Sequence, residues 1–330
     1  MLHIINGDAA ANVLRRAGIT DEILPWRDVL HEGPVPAGLD LRALSKVRVK
    51  FIAECGWSTL EQATRQFDAR DTVLETKGRD TPALLWFESD LYDQLQLCQV
   101  LAWYHDLSPV PALSIIAGTA EDGGFRGLGT MQPEALIELG HSAKPVKRDQ
   151  LALAGRAWNA FRSPDPVAVD RLRREGTRAL PDLGIALLRL LQELPSRSNG
   201  LSRTEHAALK AVAEGARAPA EVFVAVHTRE EHPFMGDWAF WRLLARLSSG
   251  SSALLELASG ARPRFPPQVP AAAAFGAQRF RLTPLGRDVL EGKKDAVATI
   301  GIDRWWGGTH LHNDGKVWRW DEAEQNLVPN

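Results

Sequence analysis

Six residues of this chain carry side chains suited to moving protons: Asp8, Asp28, His31, Glu32, Glu88 and Asp90. Each lies at or just beyond the C-terminal end of a run that reads as a strand, over residues 2–5, 22–26 and 82–87. In a parallel sheet those ends share one edge, so residues distant in sequence converge there. Carboxylates and a histidine at such an edge serve as general acid and base, or hold a divalent metal. Asp8 and Asp90 also stand where helices begin, and a carboxylate there caps free amides and meets the helix dipole. The two roles are compatible.

Around this group, Asn6 and Gly7 in the first turn and Tyr92 and Gln94 at the next helix start offer hydrogen bonds to a ligand. His31-Glu32-Gly33-Pro34 places a histidine beside an acid ahead of a rigid dipeptide, a suitable setting for a positioned base. The chain has neither the Gly-x-Gly-x-x-Gly turn nor the Gly-x-x-x-x-Gly-Lys-Ser/Thr loop, so no nicotinamide or Walker-type nucleotide site is expected. Asp8 would repel a bare phosphate at the first turn. The expected crevice suits a metal, a cation or a neutral polar ligand better.

The elements that must position these residues alternate. Strand patterns over 2–5, 22–26, 82–87 and 113–116 are interleaved with helical spacing over 9–17, 41–55, 59–67, 72–76 and 91–104. This order predicts an α/β domain over residues 1–130, Rossmann-like, with a mostly parallel sheet. Residues 118–129 read as a glycine-rich loop over the sheet edge, and 131–199 as a helical connector closing in a linker at 195–200. Ser202-Arg203-Thr204-Glu205 is a capping box. It opens three helices followed by strands at 254–257 and 279–282, a winged-helix-like order over 200–295, with a flexible arm at 262–276. The last segment, 296–330, reads as a tryptophan-rich β-hairpin pairing residues 310–311 with 317–320.

The opening Leu2-His3-Ile4-Ile5-Asn6-Gly7-Asp8, the stretch from Trp26 to Pro34 and the stretch from Trp86 to Leu95 together resemble the bacterial family termed domain of unknown function 1835. Residues 200–205 and 233–238, with Trp305, Gly308, His310-Leu311 and Trp318-Arg319-Trp320-Asp321, resemble the usual C-terminal partner of that domain. The resemblance spans nearly the whole chain. It implies an architecture and no established activity. Some relatives read Gly-Asp-Ser at the first turn, where this chain has Ala9, which argues against a serine nucleophile.

Composition narrows the remaining classes. At 330 residues the chain is long enough for two or three domains. It has no apolar run of membrane-spanning length and no signal-peptide pattern, so a cytoplasmic protein is expected. Cys55 and Cys98 lack metal spacing and read as buried free thiols. His227 to His232 misses the His-Glu-x-x-His spacing of a zinc helix. Residues 1–150 hold 21 acids against 15 bases, and 200–295 hold 13 bases against 10 acids. An acidic front half disfavours a nucleic-acid groove there.

Two functions follow. In one, the acidic crevice hydrolyses or transfers a group on a nucleotide, phosphorylated or sugar-like small molecule. In the other, it senses a ligand, and the winged-helix-like unit contacts DNA or a protein through Arg242, Arg246, Arg279 and Arg281. Trp238, Phe240 and Trp241 make that recognition helix unusually aromatic, which suits a core or a protein contact. Trp305, Trp306, Trp318 and Trp320 could stack on a sugar or a base, and docking of the tail is the expected role of some of them.

Overall fold

The computed structural model describes residues 1–116, 127–266 and 272–329. Most of the glycine-rich segment and part of the proline-rich arm lie outside them. The chain forms two compact units. The first comprises Met1–Ala53, Thr59–Leu188 and Gly307–Thr309, and the second holds the remainder.

The first unit is an α/β fold on a five-stranded, mostly parallel sheet. Its elements are β1 (Leu2–Asn6), α1 (Gly7–Arg16), β2 (Glu22–Trp26), α2 (Leu41–Glu54), α3 (Leu60–Thr76), β3 (Ala83–Trp86), α4 (Leu91–His105), β4 (Leu113–Ile115), α5 (Pro133–His141), β5 (Lys144–Pro145), α6 (Arg148–Phe161), α7 (Val167–Glu175) and α8 (Pro181–Leu191), whose last turn crosses into the second unit. The strand order is β2-β1-β3-β4-β5, with only β5 antiparallel. β1 lies between β2 and β3, with Ile4 beside both Leu24 and Leu85. Leu2, Ile4 and Ile5 are wholly buried, as a parallel strand covered on both faces requires. Ile5, Ala10, Leu14 and Trp86 pack with Leu128 and Leu136 on one side of the sheet.

Two expectations are corrected here. Residues 59–76 make one helix, α3, rather than two pieces, because Arg70 and Asp71 between them are buried rather than loop-forming. Arg70 lies over the rings of Trp26 and Phe67 and pairs with Asp71, while Ser45 hydrogen-bonds both. The two-residue β5 was not foreseen, since Lys144-Pro145 has no strand character of its own and pairs only with the β4 edge.

Residues 307–309 complete this unit from far along the chain. Gly307 O accepts from Val35 N (2.8 Å), Gly308 N donates to Phe161 O (2.9 Å), and Thr309 Oγ1 donates to Ser163 O (3.0 Å). The approach is so close that a Cβ on Gly308 would stand 1.8 Å from Arg162 O.

The second unit contains α9 (Arg203–Ala213), α10 (Pro219–His227), α11 (Asp237–Leu247), β6 (Leu255–Leu257), α12 (Ala272–Gly276), β7 (Phe280–Leu282), α13 (Pro284–Leu290), α14 (Ala296–Ile300), β8 (Asp303–Trp306), β9 (Thr309–His312, all but its first residue), β10 (Trp318–Asp321) and β11 (Asn326–Pro329). The capping box forms as expected: Ser202 Oγ accepts from Glu205 N (3.2 Å) and the Glu205 carboxylate from Ser202 N (2.9 Å). β6 and β7 pair antiparallel.

Three readings fail in this unit. The tail makes two hairpins, β8–β9 and β10–β11, instead of one joining 310–311 to 317–320. The presumed linker is ordered: Arg197 N donates to Trp320 O and Trp320 N to Pro195 O, both at 2.9 Å. Within the proline-rich arm, Phe265 stacks on Phe280 and meets Phe275 of α12 edge-on. Aromatic side chains thus hold the described ends of the arm, while residues 267–271 lie outside the described residues.

Candidate functional site

The first turn sets the site. Asn6 ends β1 in the N-cap position of α1, yet its side chain caps nothing there. Its amide instead donates to both Asp93 carboxylate oxygens (2.7 Å each) and to Glu88 Oε1 (3.3 Å). Gly7, at φ +64°, turns the chain out of the strand.

Glu88 and Asp90 follow β3, and Asp93 lies in the first turn of α4. All three carboxylates are buried. Glu88 also accepts from Leu128 N (2.6 Å), Asp93 from Glu88 N (2.6 Å), and Asp90 from Asp93 N (3.1 Å) as the helix N-cap. Gln94 donates to Glu88 O (2.7 Å). Its amide therefore secures the turn rather than facing a ligand.

Crowding three acids away from water raises their proton affinities. Burial pushes Glu88 up. Burial, then the neighbouring Glu88, pushes Asp90 up to about 7. Burial, then Asp90 and Glu88, pushes Asp93 well above the usual carboxylate range. Fewer than three negative charges therefore reside here at neutral pH. Tyr92 borders the cluster with its phenol raised by burial and then by Asp93, and its ring meets His31 edge-on at 6.0 Å.

The other expected residues are drawn elsewhere. Asp8 is exposed and takes a bidentate bond from Arg27 (2.7 and 2.8 Å), which holds its carboxyl below the usual range. Asp28 is fully buried against Arg48, itself fully buried, at 2.9 Å. Arg48 further donates to the carbonyls of Val29 (2.9 Å), Glu32 (2.8 Å) and Pro34 (3.1 Å). Asp28 is thus the counter-ion of a clamp that shapes the loop carrying His31 and Glu32, both half-buried.

Gly33 closes that loop at φ +76°, where a Cβ would lie 2.6 Å from the Phe51 ring. Gly33→Ala is expected to lose about 2–4 kcal/mol, from the left-handed backbone and the overpacked ring together. Urea unfolding measures it, and a loss below about 0.5 kcal/mol would contradict this packing.

Sequence reasoning missed Arg48 and did not select Asp93. Both had a signal. Arg48 falls four residues from Leu44 and from Ile52, on the apolar stripe of α2. Asp93 stands three residues after an N-cap, where an acid reads as capping.

Among the described residues no group of three or more His, Cys, Asp or Glu is arranged to hold a metal. At the acid cluster the reason is visible: the Asn6 amide, a donor, occupies the place between carboxylates that a cation would need. His227, from the zinc-like run, is engaged by Phe223 O (3.0 Å) and Met235 O (2.8 Å). Cys98 is buried as expected, whereas Cys55 is only half-buried.

In the second unit, Arg246 pairs with Glu205 (3.3 Å) and Arg281 with Glu256 (2.9 Å). Arg279 donates to the carbonyls of Gly276 and Gln278 (2.7 and 2.9 Å), and Arg242 is exposed on α11. Trp306 is buried with its indole on Leu190 O (2.9 Å), while Trp305 stacks on His310 at 4.6 Å. No helix among the described residues is long and apolar enough to cross a membrane. No protein-family model and no curated protein matches the chain.

Proposed function

We propose that the strand C-terminal edge of the first unit is an acid–base site for hydrolysis or group transfer on a small, neutral or cationic polar molecule. The observation that carries this reading is the gathering of three buried carboxylates, Glu88 and Asp93 sharing the Asn6 amide and Asp90 joined to Asp93 through the Asp93 backbone amide. Buried acids with raised proton affinity cost stability, and such arrangements concentrate at functional sites. Asp90, exchanging its proton near pH 7, is suited to act as general acid and base. His31 and Tyr92 at the border are suited to orient the substrate. The negative cluster disfavours phosphorylated substrates.

The reading treats the first unit as a Rossmann-like domain, for which the β2-β1-β3-β4 order is the support. The second unit reads as winged-helix-like, from α9, α10 and α11 followed by the β6–β7 pair. Because Arg246 and Arg281 are matched by acids, a scaffolding or protein-contacting role for it is favoured over DNA binding.

The test is turnover of a panel of nitrophenyl esters, amides and glycosides across pH. A rate inflection near pH 7 is expected, with kcat reduced about 10²–10⁴-fold in Asp90→Asn and unchanged in the exposed control Glu61→Gln. An Asp90→Asn protein as active as wild type would sink the assignment.

A further inference from the structure

The first unit contains a second feature, at the opposite end of α4 from the acid cluster. A cavity of about 270 Å³ lies among the start of α2, the C-terminal end of α4 and α6. Asp93 and Asp106 are 13 residues apart, so about 20 Å of helix separates the two places. Leu39 and Leu44 supply apolar wall, Trp103 and Trp158 aromatic wall, and Asn159 a polar one.

Arg162 also lines this cavity, and its state is unusual. The side chain is 9 % exposed, yet among the described residues no carboxylate lies within ion-pair distance. Nε and Nη2 are taken by the carbonyls of Pro36 and Leu39 at 2.7–2.9 Å. Nη1 has no acceptor among the described residues. Among the described residues every other arginine as buried as this one meets a carboxylate: Arg48 has Asp28, Arg70 has Asp71, Arg189 has Glu193 and Glu230, and Arg319 has Asp295. Burial pulls the Arg162 proton affinity down, and the guanidinium lies over the cavity's Trp158 ring, 5.4 Å from its centroid, which offsets part of the missing counter-ion. A buried guanidinium without a counter-ion is costly, and an anion entering the cavity would relieve that cost.

The geometry points to a binding site for a small aromatic carboxylate, its anionic group on Arg162 Nη1 and its ring against Trp103 and Trp158. A guanidinium amino group recognises a carboxylate through a charge-assisted bond, and indole walls favour a flat apolar body. The volume falls just below the roughly 300–1,000 Å³ usual for ligand sites, so the molecule is small. Asp40 and Asp106 stand exposed among the lining residues and weigh against dianions such as phosphate. Arg156, the other cation there, is already paired with Glu175.

Calorimetric titration of the full chain with benzoate, against its neutral isostere benzamide, tests the assignment. Benzoate is expected to bind saturably and benzamide roughly ten- to a hundred-fold more weakly, the worth of one charge-assisted bond. Arg162→Met should lose that margin and Arg162→Lys recover part of it. Since Arg162 also holds two backbone carbonyls, Asn159→Trp provides a second variant: it fills the cavity from an exposed position and should abolish binding without lowering the melting temperature. Asp90→Asn should leave benzoate binding intact, separating this site from the acid cluster. Absence of saturable benzoate binding, equal affinity for benzamide, or full binding by Asn159→Trp would each overturn the assignment.

Discussion

Replacing Arg48 by methionine is expected to destabilise the protein by about 3–5 kcal/mol, the usual consequence of leaving a buried charge without its partner. Arg48 and Asp28 are both wholly excluded from solvent. Asp28 Oδ2 already lacks any partner among the described residues, so losing Arg48 strands the whole carboxylate. The carbonyls of Val29, Glu32 and Pro34 lose their shared donor in the same step. Because methionine matches much of the arginine stem, the effect reports electrostatics and hydrogen bonding more than volume. The double variant Asp28→Asn/Arg48→Met should recover part of the loss, since the stranded charge is then gone. Urea unfolding of the four proteins in this cycle gives the coupling directly. A single Arg48→Met variant within about 1 kcal/mol of wild type would show that the loop is held by other means.

The second large effect has the opposite sign. Asp90→Asn is expected to stabilise the protein above neutral pH. Asp90 holds its proton to about pH 7 in the folded chain, against an ordinary value of 3.8. Between those values the unfolded chain has released the proton and the folded chain retains it. Folding stability therefore falls as pH rises from about 4 to about 7, and is level beyond. The whole interval corresponds to on the order of 4 kcal/mol for a single group, shared here with Glu88 and Asp93. Asparagine removes the charge and keeps a side-chain oxygen to accept from Asp93 N, so the helix cap survives. Thermal unfolding should show the variant and wild type alike near pH 4 and the variant more stable by on the order of 2–4 kcal/mol at pH 8. A variant less stable than wild type at pH 8 would mean that the carboxylate is a structural asset. Stabilisation together with lost turnover would mark it as a functional group retained at a cost.

The alternation of apolar strands and helical stripes made the parallel sheet legible in sequence, because β1, β2 and β3 are short runs bounded by turns and α4 is long and apolar. The edge where Asn6, Glu88 and Asp90 meet followed from that topology. What sequence could not show was which acids would reach the cluster. Asp8 and Asp28 leave equivalent strand ends, but Arg27 and Arg48 intercept them. The direction of each depends on a partner placed by a different element, a long-range fact with no local signature. The same limit explains Arg162, which reads as an ordinary residue after a helix and is in fact buried among backbone carbonyls. The tail hairpins depart from the sequence expectation for another reason. Tryptophan-rich alternation identifies strand residues but is silent about pairing, which turn lengths and distant backbone bonds decide.

The turn at Gly307–Thr309 bears on how the protein is made. Its backbone bonds to Val35, Phe161 and Ser163 belong to the first unit, yet Thr309 emerges 146 residues after Ser163. At translation rates of about 5–20 residues per second, the ribosome needs roughly 7–30 s to cover that interval. For that time the nascent sheet domain lacks these last backbone partners. Chains arrested between residues 200 and 300 should accordingly display a first unit that is collapsed and protease-sensitive around residues 34–36 and 161–163, hardening only once the glycine turn arrives.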